Sequence, residues 1–186
     1  MDVAEAHALV LEKIAYQPGA FYGAPDGLAL GAGIFFSNVR QPQFDSNSRR
    51  FRTVRGMSYV VTHECDVAQE NDRLFNDSVL VCPVIRFEEF FDEVDGQTNL
   101  GAFLGNMATR NIPRLVYVPT FGEALPYGGV LYLNRITNTH VSAFGEEGVA
   151  PIAAVSATGL REVDSALGNL LMREKSDRRW GVWPRA

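Results

Sequence analysis

Two short apolar runs, Tyr59-Val60-Val61 and Ser78-Val79-Leu80-Val81-Cys82-Pro83-Val84-Ile85, constrain this chain more than any other feature. Their β-branched and aromatic side chains suit a pleated, half-buried surface, and the polar segment between them reads as a connection, so the two runs are expected to pair as strands. The first run exits into His63, Glu64, Cys65 and Asp66, which places an imidazole, a thiol and two carboxylates at the edge of a rigid sheet.

Other runs extend the pattern. Segments 28–36, 114–118 and 130–136 read as further strands, with a short one at His140 to Phe144, all bounded by Gly, Pro or polar turns. Asp2 and Glu5 form the frame of a capping box, and Val3, Ala6, Val10 and Ile14 follow at helical spacing until Pro18-Gly19. His7 within that helix has no second ligand four residues on, so it is no metal candidate. Phe87, Phe90, Phe91 and Val94, then Leu100, Phe103, Leu104 and Met107, predict two short helices inserted over about 86–113. A last helix from Ser156 to Lys175 shows Leu160, Val163, Leu167, Leu170 and Leu171 on one face. Beyond it, residues 176–186 form a basic, aromatic tail. The expected class is α+β, mainly β: a mostly antiparallel sheet with an N-terminal helix, an inserted helical pair and a C-terminal helix.

With 186 residues, 46% of them hydrophobic, the chain is expected to form one domain across 1–186. A formal charge of -5 argues against a surface that coats nucleic acid everywhere, because phosphate binding needs Lys or Arg to displace counterions. A local basic patch stays open: Arg49, Arg50, Arg52 and Arg55 crowd one polar stretch, Gln41 to Arg55, which fits a solvated loop and equally a surface whose arginine forks take phosphate. If Phe51 and Val54 turn inward, these arginines share an outer face. No signal-like N-terminus and no long apolar run is present, so a cytoplasmic protein with reduced thiols and no membrane partner is expected.

In order along the chain, several pieces resemble the MazF/PemK family of small toxin endoribonucleases, which have an SH3-like barrel. Arg55 followed by Met57-Ser58-Tyr59-Val60-Val61-Thr62 resembles the family's Arg-Pro-apolar run, and Leu80-Val81-Cys82-Pro83-Val84 its later apolar run into proline. Leu133-Asn134-Arg135-Ile136-Thr137 resembles the strand with Gln-(Ile/Val)-Arg, and Leu160 to Leu167 the closing helix. The resemblance implies a small SH3-like barrel, a toxin or phage-defence setting, single-stranded RNA or a protein as partner, and a homodimer as one option. It departs at Gly56, where the family has proline, and near Ile85, where the family's active-site threonine would fall. Thr62-His63-Glu64-Cys65-Asp66 is also similar to a Thr-x-x-Cys-Asp signature of a group of bacterial and phage proteins.

These readings leave two leading functions. In the first, a barrel without the threonine binds nucleic acid or protein through Arg49, Arg50, Arg52 and Arg135. In the second, a metal-independent endoribonuclease uses Arg55 to stabilise phosphate charge, with His63 or Asp66 as base. Cys65 beside His63 and Asp66 also holds the residue types of a thiol nucleophile with its base. His63, Cys65, Cys82 and His140 have ligand types that suit zinc, but not the close pairing of structural sites, so no metal and no other cofactor is expected.

Overall fold

In the computed structural model, residues 1–24, 30–45, 48–67 and 77–171 are described. Helix α1 (Val3–Lys13) starts on the expected capping box, with Asp2 accepting from the Glu5 amide and Glu5 accepting from the Asp2 amide, each at 2.9 Å. The strands are β1 (Ile34–Asp45), β2 (Arg50–Val60), β3 (Ser78–Arg86), β4 (Leu115–Val118), β5 (Gly129–Tyr132), β6 (Thr137–His140) and β7 (Ala150–Ala154). A short α2 (Glu64–Val67) follows β2. Helices α3 (Phe87–Val94) and α4 (Leu100–Ala108) form the inserted pair, and α5 (Ala157–Leu171) comes last. All ladders are antiparallel, in the order β4-β5-β3-β2-β1-β7, with β6 also on β3.

The expected pairing of the two apolar runs is present: Ser58, Tyr59 and Val60 face Pro83, Cys82 and Val81. Along its other edge β3 meets β6 first, from Ser78 to Val81, and then β5, from Val84 to Arg86. Between these ladders a tight turn, Leu133–Arg135, takes up extra chain, so that Leu131 to Thr137 spans only Val84 to Val81. Pro83 sits at that break, where its missing N–H leaves no ladder bond unmade. This accommodates a proline in the middle of a sheet, where a residue without an N–H is otherwise confined to edges and strand ends.

Apolar residues alternate across β3. Val79 and Val81 pack with Phe36, Val39 and Val60 on one side, while Cys82 and Val84 pack with Phe35, Tyr59 and the α5 residues Val163 and Ala166 on the other. A further cluster joins α1, α3 and α4 to β4 and β5 through Ala6, Val10, Phe87, Phe90, Leu104 and Met107.

The class is α+β with an open, mostly antiparallel sheet. No ladder closes it into a barrel among the described residues; the nearest approach is the Thr139 hydroxyl, which donates to the Arg40 carbonyl at 2.8 Å. Other expectations need correction. The strand foreseen at 28–36 begins only at Ile34, with residues 25–29 outside the described set. Gln41 to Arg55 forms the outer arms of the β1–β2 hairpin instead of a loop, paired from Arg40↔Arg55 to Asp45↔Arg50. These arms run past the end of the β2–β3 ladder, so neither face there needs an apolar row. The strand foreseen at 140–144 is a 3-10 turn, Val141–Gly145, and the strand precedes it as β6. Part of the 130–136 strand is the Leu133–Arg135 turn, and β7 was not foreseen. No described helix is long and apolar enough to cross a membrane. The tail at 176–186 lies outside the described residues.

Candidate nucleic-acid interface

Because the β1–β2 arms project past β3, an angle opens between them, Pro83 and the Leu133–Arg135 turn. It holds a groove of about 400 Å³, lined by Gln41, Val54, Pro83, Arg135, Thr137 and the hairpin aromatics among others. That size suits a small ligand or one unit of a polymer, for which sites of ~300–1,000 Å³ are usual.

Two phenylalanines stand on its rim. Phe44 and Phe51 face each other across the hairpin and are 54% and 74% exposed, with ring centroids 5.3 Å apart in an edge-to-face arrangement. Their burial would stabilise the hairpin, so a large exposed pair is the informative exception to a packed surface. Arg135 enters from the facing turn, its guanidinium 4.4 Å from the centre of the Tyr132 ring, a cation–π contact that leaves its donors available to the groove. Arg49, Arg50 and Arg52 are exposed where the hairpin turns, with Arg49 in the left-handed region at φ 53°.

The arginines do not share one face. Alternation along β2 puts Arg52 with Val54 on one face of the strand and Arg55 with Phe51 on the other, so Phe51 does not share the face of Val54. Arg55 is held by Glu146 at 2.5 Å and by the carbonyl of Asn38 at 3.3 Å. Asn38 has φ 55° where the β1–β2 register shifts, a conformation asparagine tolerates, and the shift turns its carbonyl toward Arg55.

His63, Cys65 and Asp66 come together, but away from Arg55. Cys65 Sγ lies 3.2 Å from His63 Nδ1 and 3.9 Å from Asp66 Oδ1, just past the end of β2. Arg55 lies five positions inside that end, and at a rise of ~3.3 Å per residue no hydrogen bond spans such a distance. A base at His63 or Asp66 is therefore not placed to work with Arg55 on one phosphate. Thr62 serves the fold here, its Oγ1 accepting from the Leu80 amide at 2.6 Å.

The zinc ligands are not assembled either. Cys82 is buried among Tyr59 and Val84, where burial pushes its thiol well above the usual range. His140 lies across β3, its Nδ1 2.8 Å from Ser142 Oγ and its Nε2 3.6 Å from Asp77 Oδ2. That Ser-His-Asp series is exposed, and the same Nδ1 accepts from the Ser142 amide at 3.1 Å, so the imidazole caps the 3-10 turn. Among the described residues no group of His, Cys, Asp and Glu is placed to hold a metal ion. Ile85, where the resemblance would put a catalytic threonine, pairs with Val130 and packs on the helical cluster.

Two groove features escaped the sequence reading. Phe44 and Phe51 flank Asp45-Ser46-Asn47-Ser48, whose composition favours a turn, and a hairpin there would have set them face to face. Gln41 gave no such signal. No family model matches this chain, and no curated protein matches it in sequence.

Proposed function

We propose that this protein is a single-stranded RNA-binding module on a divergent MazF/PemK-like scaffold, with its contact surface in the groove under the β1–β2 hairpin. The observation that carries the reading is the exposed Phe44–Phe51 pair, set beside Arg49, Arg50 and Arg52 and facing Arg135 across the groove. Aromatic rings stack unpaired bases irrespective of sequence, and arginine forks take phosphate oxygens, so the two together fit a single strand better than a duplex. The overall acidity of the chain favours binding at a local basic rim such as this over a surface that coats nucleic acid.

Binding is favoured over cleavage by the groove's own chemistry. Among the described lining residues Arg135 is the one ionisable side chain, and a guanidinium does not serve as a general base near neutral pH.

The test is fluorescence anisotropy with a labelled single-stranded RNA, followed by a gel of the same RNA. Wild type should bind at low salt and leave the RNA intact. Phe51→Ala should weaken binding about tenfold, the loss of one stacked base, at an unchanged melting temperature. No binding at low salt, where screening is least, would overturn the reading and leave a protein partner as the alternative. Specific cleavage would restore the endoribonuclease reading.

A further inference from the structure

Beside the groove, in the side chain of a lining residue, lies a buried polar atom that the described fold does not satisfy. Gln41 lines the groove and is only 5% exposed, yet its Oε1 has no hydrogen-bond partner among the described residues. A buried carbonyl oxygen without a donor costs ~1–3 kcal/mol, so natural cores rarely keep one without a use. Leucine or methionine would fill a similar volume at no such cost.

Gly56 makes room for this amide. A β-carbon there would lie 3.3 Å from Gln41 Nε2, tighter than ordinary packing, so the glycine lets the side chain lie across β2. One alternation further along the same face is Ser58, fully buried, whose hydroxyl also has no partner and which sits opposite the groove residue Pro83. The chain behind the inner wall is therefore polar, while Val54, Pro83 and Ile136 give the groove apolar surface beside Gln43, Asn134, Arg135 and Thr137. A flat, mostly apolar ring with one hydrogen-bonding edge matches that surface.

We infer that this recess reads a single nucleobase carrying an exocyclic amino group, adenine or cytosine, with Gln41 Oε1 accepting from the amine. The inference rests on the RNA-binding reading above and deepens it. A keto base such as uracil or hypoxanthine would set its own carbonyl oxygen against Gln41 Oε1, acceptor on acceptor, and would pair only if the buried amide turned to present Nε2. Phe44 and Phe51 on the rim would stack a neighbouring base, and Arg135 would hold the phosphate between them. Affinity then comes from the rim, and base preference from the recess.

The experiment compares short single-stranded RNA homo-oligomers in matched pairs: cytidine against uridine, and adenosine against inosine. Wild type should prefer the amino member of each pair about tenfold. An oligomer of N4,N4-dimethylcytidine, which keeps the ring but has no amine hydrogen, should bind like uridine. That arm leaves the protein unaltered and so is independent of its folding. Gln41→Leu should bind all the oligomers alike, at the wild-type uridine affinity, and melt at the same temperature or higher because an unsatisfied buried atom is gone. Loss of preference without loss of stability separates recognition from a structural role. Equal binding of both members by wild type, or a preference for the keto member, would overturn the recess while RNA binding stood. No binding of any oligomer would overturn both.

Discussion

Arg55 Nη2 lies 2.5 Å from Glu146 Oε2, and the same oxygen is 3.5 Å from Arg40 Nη2. One carboxylate from the segment after the Val141–Gly145 turn thus holds both strands of the hairpin. The resemblance singled out Arg55 as the phosphate residue, but its position makes it a tether.

Arg55→Ala should accordingly leave RNA affinity within about twofold of wild type and its salt dependence unchanged. Arg135→Ala should weaken binding of every sequence alike and reduce the slope of log K against log salt by about one phosphate contact. Titrations at several salt concentrations read both quantities. A steep loss with Arg55→Ala and none with Arg135→Ala would make Arg55 the phosphate contact and move the interface off the Arg135 turn.

The thiols make a second prediction. Cys82 is fully buried with its thiol pushed up by burial, whereas Cys65 is partly exposed in the short turn after β2. A thiol-specific reagent should label one cysteine in the native protein and both after denaturation. Mass mapping should place the native label on Cys65. Rapid native labelling of Cys82 would contradict the packing of β3 against Tyr59.

Two glycines of α5 should respond in opposite directions. Gly168 has open space around it, so Gly168→Ala should gain up to ~1 kcal/mol from helix propensity. At Gly159 an added methyl would press on the Phe21 carbonyl oxygen and come 3.0 Å from Val155 Cβ, so Gly159→Ala should lose ~1–3 kcal/mol by overpacking despite the same propensity gain. Denaturant unfolding of the two variants tests whether the helix rests directly on the chain at Phe21.

Elements whose signal is local were legible in the sequence. The Asp2–Glu5 capping box and the phenylalanines of α3 act within a turn or two of chain, and both helices stand where their spacing puts them. Strand β7, Ala150-Pro151-Ile152-Ala153-Ala154, was not legible because small residues carry no strand pattern; its pairing with Ile34 to Ser37 defines it. The hairpin arms were hidden for another reason. Their strand character comes from the partner strand, and two solvated faces remove the alternation that marks a half-buried strand. The groove follows from those arms, and so does the burial of Gln41, a polar residue in a polar stretch that only tertiary structure carries inward. His63, Cys65 and Asp66 were read as a cluster and are one, but the sequence could not say that Arg55 would point elsewhere.

His7 offers the last prediction, because the sequence treated it as a bland helix residue. In the structure its Nε2 is 2.9 Å from the Tyr117 hydroxyl, and its ring lies among Phe87, Tyr117 and Tyr127. Burial in that aromatic setting lowers its pKa below the ordinary 6.5, with the nearby Glu88 carboxylate opposing the shift only in part. The native state thus binds a proton at His7 less readily than the unfolded chain does. Stability from this site is fully present above about pH 6.5, and falls as pH drops from there through the lowered native pKa. Below both values its contribution levels off. Replacing the imidazole by a group that does not titrate, as in His7→Gln, should remove this part of the pH dependence. Melting temperatures of wild type and variant should therefore converge as pH falls below about 6.5, the ordinary histidine value. If wild type instead grew more stable relative to the variant on acidification, the native pKa would be raised, and the Glu88 charge would outweigh burial at His7.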